Sequence, residues 1–157
     1  TGAGIEVETV SITGNEQVCS AQNITVKADT LFKAQPVCKE DVLFLPGGPG
    51  HKQYNECKPL LKLLEKHHAE GGRIAAICAA PSVLGQAGIL NGKKAACHPG
   101  FEEKLTGAEV FFSPVVCDGN VITSRGMGTA VPFGLAVARY FTDDATIEHV
   151  KAGLVYA

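Results

Sequence analysis

The residues best able to do covalent chemistry surround Cys78, in Arg73-Ile74-Ala75-Ala76-Ile77-Cys78-Ala79-Ala80-Pro81. An apolar run of strand character stops at a cysteine, with small residues two before it (Ala76) and two after it (Ala80). A nucleophile elbow needs this pattern, because a sharp strand-to-helix turn lifts the reactive atom and bulky neighbours would collide with it. The following helix would turn free N–H groups and the positive end of its dipole toward the sulfur, favouring thiolate. The Ala79 N–H would then stand ready to donate to a developing oxyanion. An inert cysteine buried in an alanine-rich strand-helix joint fits the same spacing.

Three further segments carry polar chemistry. Gly47-Gly48 follows the apolar run 42–45, and glycines there let backbone N–H groups approach a ligand, offering a second oxyanion donor. The pair also fits a plain strand-ending turn. His98, between Cys97 and Pro99, ends another expected strand, where an imidazole can exchange protons with Cys78 or its substrate. His51, His67, His68 and His149 read instead as surface or internally satisfied histidines. Gly126-Met127-Gly128-Thr129-Ala130-Val131 superficially resembles a dinucleotide loop, but Val131 stands where a third glycine or alanine belongs, so NAD binding is rejected. No CxxC pair or Cys/His cluster at zinc spacing is present, and neither cofactor nor metal is expected.

The elements that must position these residues alternate between strand and helix. Residues 5–12 alternate apolar and polar like a half-exposed strand, and a short β segment is expected around 24–26. Residues 42–45 form a continuous apolar run typical of a strand buried on both faces. Residues 58–68 have helical periodicity, with Leu60, Leu61, Leu63 and Leu64 on the buried side. Strand 73–77 and helix 79–87 flank the elbow, with Pro81 tolerated in the helix's first turn. Strands at 94–97, 110–112 and 121–124 follow, then helices at about 130–141 and 145–153. This order predicts an α/β fold with a mostly parallel sheet and helices on both faces. Ligands of such folds bind beyond the carboxyl ends of the strands, where Gly47-Gly48, Cys78, Cys97-His98 and Ser124-Arg125-Gly126 would converge.

Composition agrees with one soluble domain spanning 1–157. The 157 residues are 45% hydrophobic and 19% charged, with a net charge of −2 and both signs interspersed. No basic stripe points to nucleic acid, and no basic amphipathic segment points to a membrane surface. The longest apolar stretch, 74–90, is interrupted by Pro81, Ser82, Gly85, Gln86 and Gly88 and does not suit a bilayer. The six cysteines are widely spaced, so most are expected to be small buried hydrophobes in a reducing, cytoplasmic setting.

Together, Leu45-Pro46-Gly47-Gly48, the Cys78 elbow, His98-Pro99 and Thr123-Ser124-Arg125-Gly126-Met127-Gly128-Thr129 resemble the ThiJ/PfpI superfamily over essentially the whole chain. The likeness is nearest to the branch of the Parkinson-disease protein deglycase and its bacterial relatives. It implies a flavodoxin-like three-layer sandwich, usually a homodimer. It also implies a cysteine that adds to small reactive carbonyls such as methylglyoxal or clears early glycation adducts, and that is readily oxidised. Carried over by position, Cys78 would be the nucleophile, His98 the proton-transfer residue, and Gly47, Gly48 and Ala79 the oxyanion loop. Cys19 would match a secondary redox-sensitive cysteine near the dimer interface. The family's first strand and helix, whose glutamate contacts the cysteine, have no counterpart here. That is a difference of roughly thirty residues for such a unit, and the opening Thr1-Gly2-Ala3-Gly4 would follow it. A PfpI-like cysteine peptidase, a glutamine amidotransferase relative, a redox-sensing chaperone and an inactive domain are the alternatives.

Overall fold

The computed structural model describes residues 2–33 and 37–156, so Thr1 of the opening segment lies outside the described residues. The chain begins with β1 (Val10–Ser11), the hairpin strands β2 (Gln17–Cys19) and β3 (Thr25–Lys27), and β4 (Thr30–Leu31). Then come β5 (Val42–Leu45), α1 (His51–Glu56), α2 (Lys58–Ala69), β6 (Arg73–Ile77) and α3 (Pro81–Gln86). The remainder holds β7 (Lys94–Ala95), β8 (Glu109–Val110), β9 (Val115–Asp118), β10 (Val121–Ser124), α4 (Ala130–Ala138) and α5 (Asp144–Gly153).

The central sheet has the order β5-β6-β10-β9. Strands β5, β6 and β10 are parallel, with Leu43 opposite Ile74 and Ile74 opposite Val121, while β9 closes the far side antiparallel to β10. Period-two alternation along β6 divides the interior. Ile74 and Ala76 join Leu60 and Leu64 of α2 and Leu84 of α3 in one cluster, and Ala75 and Ile77 join Ile122 and Phe133 of α4 in another. The result is a helix–sheet–helix sandwich of the flavodoxin-like kind, with the sheet as its middle layer. No helix among the described residues is long and apolar enough to cross a membrane.

Several expectations need correction. Only Val10 and Ser11 of the expected strand 5–12 pair, in register with Thr30 and Leu31, because alternation becomes a strand only where a partner supplies a ladder. Strand β5 has its expected limits but is not buried on both faces. It pairs with β6 on one side alone among the described residues, and Phe44 remains 52% exposed, its ring tilted against Phe133 at 5.7 Å. The cysteines are not mostly buried: only Cys97 is, Cys57 and Cys78 are half-buried, and Cys19, Cys38 and Cys117 are exposed. The exposed three lie on the β2–β3 hairpin, in a turn and on the outer strand β9, positions that no layer covers. His67, by contrast, is as expected an internally satisfied histidine: it is buried, and its Nε2–H donates to the Asp41 carbonyl at 3.2 Å.

Helix α3 seats against the backbone of the segment that leads from the one-turn 3₁₀ helix at Glu102–Lys104. A Cβ on Gly85 would overlap the Lys104 carbonyl oxygen and stand 2.9 Å from Leu105 Cα and from Thr106 N. Alanine is the better helix former by about 1 kcal/mol, but here it meets rigid backbone, and overpacking of this kind costs about 1–3 kcal/mol. Gly85→Ala is therefore expected to lower the urea midpoint, whereas a rise would show that the 104–106 segment yields freely.

Candidate active site

The carboxyl ends of β5, β6 and β10 lie side by side, and the elbow stands at the middle one. Cys78 has φ = +66°, the left-handed region that non-glycine residues rarely occupy. Ladder-like bonds on both sides hold it there. Its N–H donates to the Ser124 carbonyl at 3.0 Å, and its own carbonyl accepts from the His98 N–H at 2.8 Å. Ala76 and Ala80, the small residues flagged by spacing, are fully buried beneath the turn. The turn continues through Ala79 and Ala80, so α3 starts two residues later than the apolar pattern predicts. Ser82 Oγ donates to the Ala79 carbonyl at 2.6 Å and secures the first turn.

An open pocket of about 220 Å³ lies over the sulfur, lined by Gly48, Pro49, His51, Cys78, Ala79, His98 and Phe101. Among the described residues, neither the Gly48 N–H nor the Ala79 N–H meets an acceptor, so both remain free to donate to a bound molecule. Gly47 forms the tight floor: a Cβ there would come within 2.5 Å of Cys78 Cβ, 2.8 Å of the Ile77 carbonyl oxygen and 3.3 Å of Cys78 Sγ. Gly48, at φ = +92°, adopts a conformation that favours glycine.

His98 shares the pocket with Cys78, though no hydrogen bond joins its ring to the thiol; the link between the two is through backbone. The His98 ring sets its Nδ1 2.9 Å from the Pro99 carbonyl oxygen. Because that oxygen can only accept, Nδ1 donates to it, and the Nδ1–H tautomer of the ring has Nε2 as its acceptor. His51, read from sequence as a surface or merely satisfied histidine, is buried and lines the same pocket. Its Nδ1–H donates to the Gly48 carbonyl at 2.8 Å. Phe101 stands edge-on to both imidazoles, at 5.3 Å from His51 and 6.2 Å from His98.

The other expected residues have different places. Cys97 is buried beside the site, and burial, reinforced by the Glu102 carboxylate, pushes its thiol up to about 11. Such a thiol is a core residue and not a nucleophile. Cys19 sits exposed on the β2–β3 hairpin, apart from the pocket lining. The Ser124-Arg125-Gly126 segment is structural knitting. Ser124 Oγ donates to the Pro114 carbonyl at 2.7 Å and pairs with Thr129 Oγ1 at 2.7 Å, while the Gly126 N–H donates to Thr129 Oγ1 at 3.0 Å. No group of three or more metal-ligating side chains occurs among the described residues.

The pattern of the DJ-1/PfpI family matches residues 1–140. This chain belongs to the DJ-1/PfpI family. It is 37% identical over 158 residues to the Drosophila melanogaster protein dj-1beta, covering 99% of this chain and 84% of that relative. It is 36% identical over 124 residues to the Caenorhabditis elegans protein named glutathione-independent glyoxalase DJR-1.2, covering 78% of this chain and 66% of that one. Among solved DJ-1 structures, that of Toxoplasma gondii DJ-1, described as oxidized, superposes with a TM-score of 0.91 at 30% identity, covering 99% of this chain and 85% of the other. The DJ-1/PfpI fold and the elbow therefore rest on independent grounds, one comparative and one geometric.

Proposed function

We propose that this chain is a cofactor-independent enzyme that uses Cys78 to convert a small α-oxoaldehyde, such as methylglyoxal, to the corresponding 2-hydroxy acid. The observation that carries the reading is a cysteine in the left-handed conformation in a pocket it shares with Gly48 and Ala79, whose backbone N–H groups meet no acceptor among the described residues. The thiolate adds to the aldehyde carbon, and the oxygen gains negative charge within reach of Gly48 and Ala79, where oriented donors are worth most. His98 Nε2 takes the proton from the aldehyde carbon and returns one to the neighbouring carbonyl carbon. The aldehyde carbon is thereby oxidised to a thioester as its neighbour is reduced to an alcohol. Water then cleaves the thioester, releasing hydroxy acid and thiol, so that one water is consumed per turnover and no external oxidant or reductant is needed. The worm relative named as a glutathione-independent glyoxalase supports this class of substrate. Removal of the same carbonyl from glycated side chains is the larger-substrate version, and the open pocket suits it.

The test is purified protein with methylglyoxal and no glutathione, with lactate measured by chromatography. Many equivalents of lactate per chain are expected. Dicarbonyl loss that stops at one equivalent, with a mass adduct on Cys78 and no lactate, would sink the catalytic reading. A second reading, oxidation of Cys78 to sulfenic and sulfinic acid as a redox signal, is supported by the thiol's half-exposure and by the Toxoplasma relative described as oxidized. Under it, peroxide would modify Cys78 selectively while methylglyoxal stays unconverted.

A further inference from the structure

The loop between β5 and α1, Pro46-Gly47-Gly48-Pro49-Gly50, contains only proline and glycine, so it has no side chain of its own to hydrogen-bond it in place. Glycines there also leave the backbone an unusually wide choice of conformations. Two side-chain holds come from α1 instead. The Gly48 carbonyl accepts from the His51 side chain at 2.8 Å and from the His51 backbone N–H at 3.1 Å. One turn on, the half-buried Tyr54 hydroxyl donates to the Pro46 carbonyl at 3.1 Å. The two held carbonyls bracket the Gly47–Gly48 peptide, whose N–H belongs to a residue lining the Cys78 pocket and meets no acceptor among the described residues.

His51 is the more exacting of the two. The residue is only 8% exposed, although it sits at the start of a six-residue helix whose next two residues are exposed. A buried ring is retained only when its polar atoms are matched, and here the Gly48 carbonyl, a pure acceptor, fixes the proton on Nδ1. Phe101 backs the ring edge-on at 82°, which leaves it little room to turn away. The ring therefore connects the loop to the far wall of the pocket.

We propose that His51 is a positioning residue that holds the Gly48 segment so that its N–H meets the oxygen of a carbonyl under attack by Cys78. The inference rests on the carbonyl-converting reading of Cys78. A donor aimed in advance at a developing oxyanion supplies a large part of catalysis, and displacing it by about 1 Å can cost up to ~100-fold. His51 acts on the sulfur's reaction with carbonyls alone, because simple alkylation of a thiolate develops no oxyanion.

The experiment compares wild type, Cys78→Ser, His51→Leu and His51→Asn for methylglyoxal turnover and for the rate of Cys78 alkylation by iodoacetamide. Leucine keeps bulk against Phe101 without a donor, whereas the asparagine amide offers an N–H close to the position of imidazole Nδ1. His51→Leu should lose ~10- to 100-fold in kcat with KM little changed. Its alkylation rate should stay within about twofold of wild type, since no oxyanion donor is used, and His51→Asn should recover most of the lost turnover. Asparagine as poor as leucine, or alkylation falling in step with turnover, would overturn the positioning role. Cys78-dependent turnover that is unaffected in both variants would overturn it alone, while wild-type turnover no faster than Cys78→Ser would overturn the carbonyl reading as well.

Discussion

Cys78→Ser is expected to cut methylglyoxal turnover by at least ~1,000-fold while leaving the fold in place. The size of the loss follows from the chemistry. A serine hydroxyl keeps its proton at neutral pH, and among the described residues none hydrogen-bonds to the Cys78 side chain to remove one. Retention of the fold follows from the backbone. Serine inherits the same strained φ, the same bonds to Ser124 and His98, and nearly the same volume. The thermal midpoint should therefore move by no more than about 3 °C, equivalent to roughly 1 kcal/mol in a domain of this size. Circular dichroism on the sample used for the lactate assay checks both halves. Turnover that survives the substitution would remove Cys78 from the reaction, and the elbow would then be a strained turn without a chemical purpose.

The three strands that carry the site were legible in the sequence to the residue. Residues 42–45 are a continuous apolar run stopped by Pro46, 74–77 an apolar run stopped by Cys78, and 121–124 a β-branched stretch ending at Ser124. The segments 42–45, 73–77 and 121–124 are strands with the expected limits, parallel to one another. Strand β9 was not foreseen, because Ser113-Pro114 breaks the apolar run 110–117 and hides its antiparallel return. The opening segment misled for the opposite reason. Its alternation is clear, yet alternation records only which side chains suit a sheet: Val7 remains exposed where no ladder forms, and only Val10 and Ser11 find a partner strand.

Within the site, Cys78, Gly48, Ala79 and His98 were marked by residue type at strand ends, and all four line one pocket. Gly47 was marked too, for donating, and the structure adds that it is packed close beneath the cysteine. His51 and Phe101 were missed. A six-residue helix is too short to show a 3.6-residue period, and Phe101 lies in a loop where no periodicity exists. A histidine directly after Pro-Gly-Gly-Pro-Gly is the one available signal, because a loop without hydrogen-bonding side chains must be secured from its flank.

Gly47→Ala and Gly48→Ala, two neighbouring changes of the same size, should have unequal effects. At Gly47 the backbone suits alanine, but the new methyl meets Cys78 Cβ at 2.5 Å and the Ile77 carbonyl oxygen at 2.8 Å. Both belong to a strand end fixed by its ladder, so neither can swing aside as the tip of a long side chain would. The elbow or the loop must shift by a sizeable fraction of an ångström. Overpacking then costs about 1–3 kcal/mol, and misalignment of nucleophile and donors costs up to ~100-fold in turnover. At Gly48 the methyl points into open space, and only the left-handed φ of +92° opposes it. That strain is about 1–2 kcal/mol, with Cys78 unmoved. Urea midpoints should therefore fall by comparable amounts in the two variants, whereas Gly47→Ala alone should also slow alkylation of Cys78. If Gly48→Ala slowed alkylation as much as Gly47→Ala, the close packing of Gly47 beneath the sulfur would not be what shapes the nucleophile.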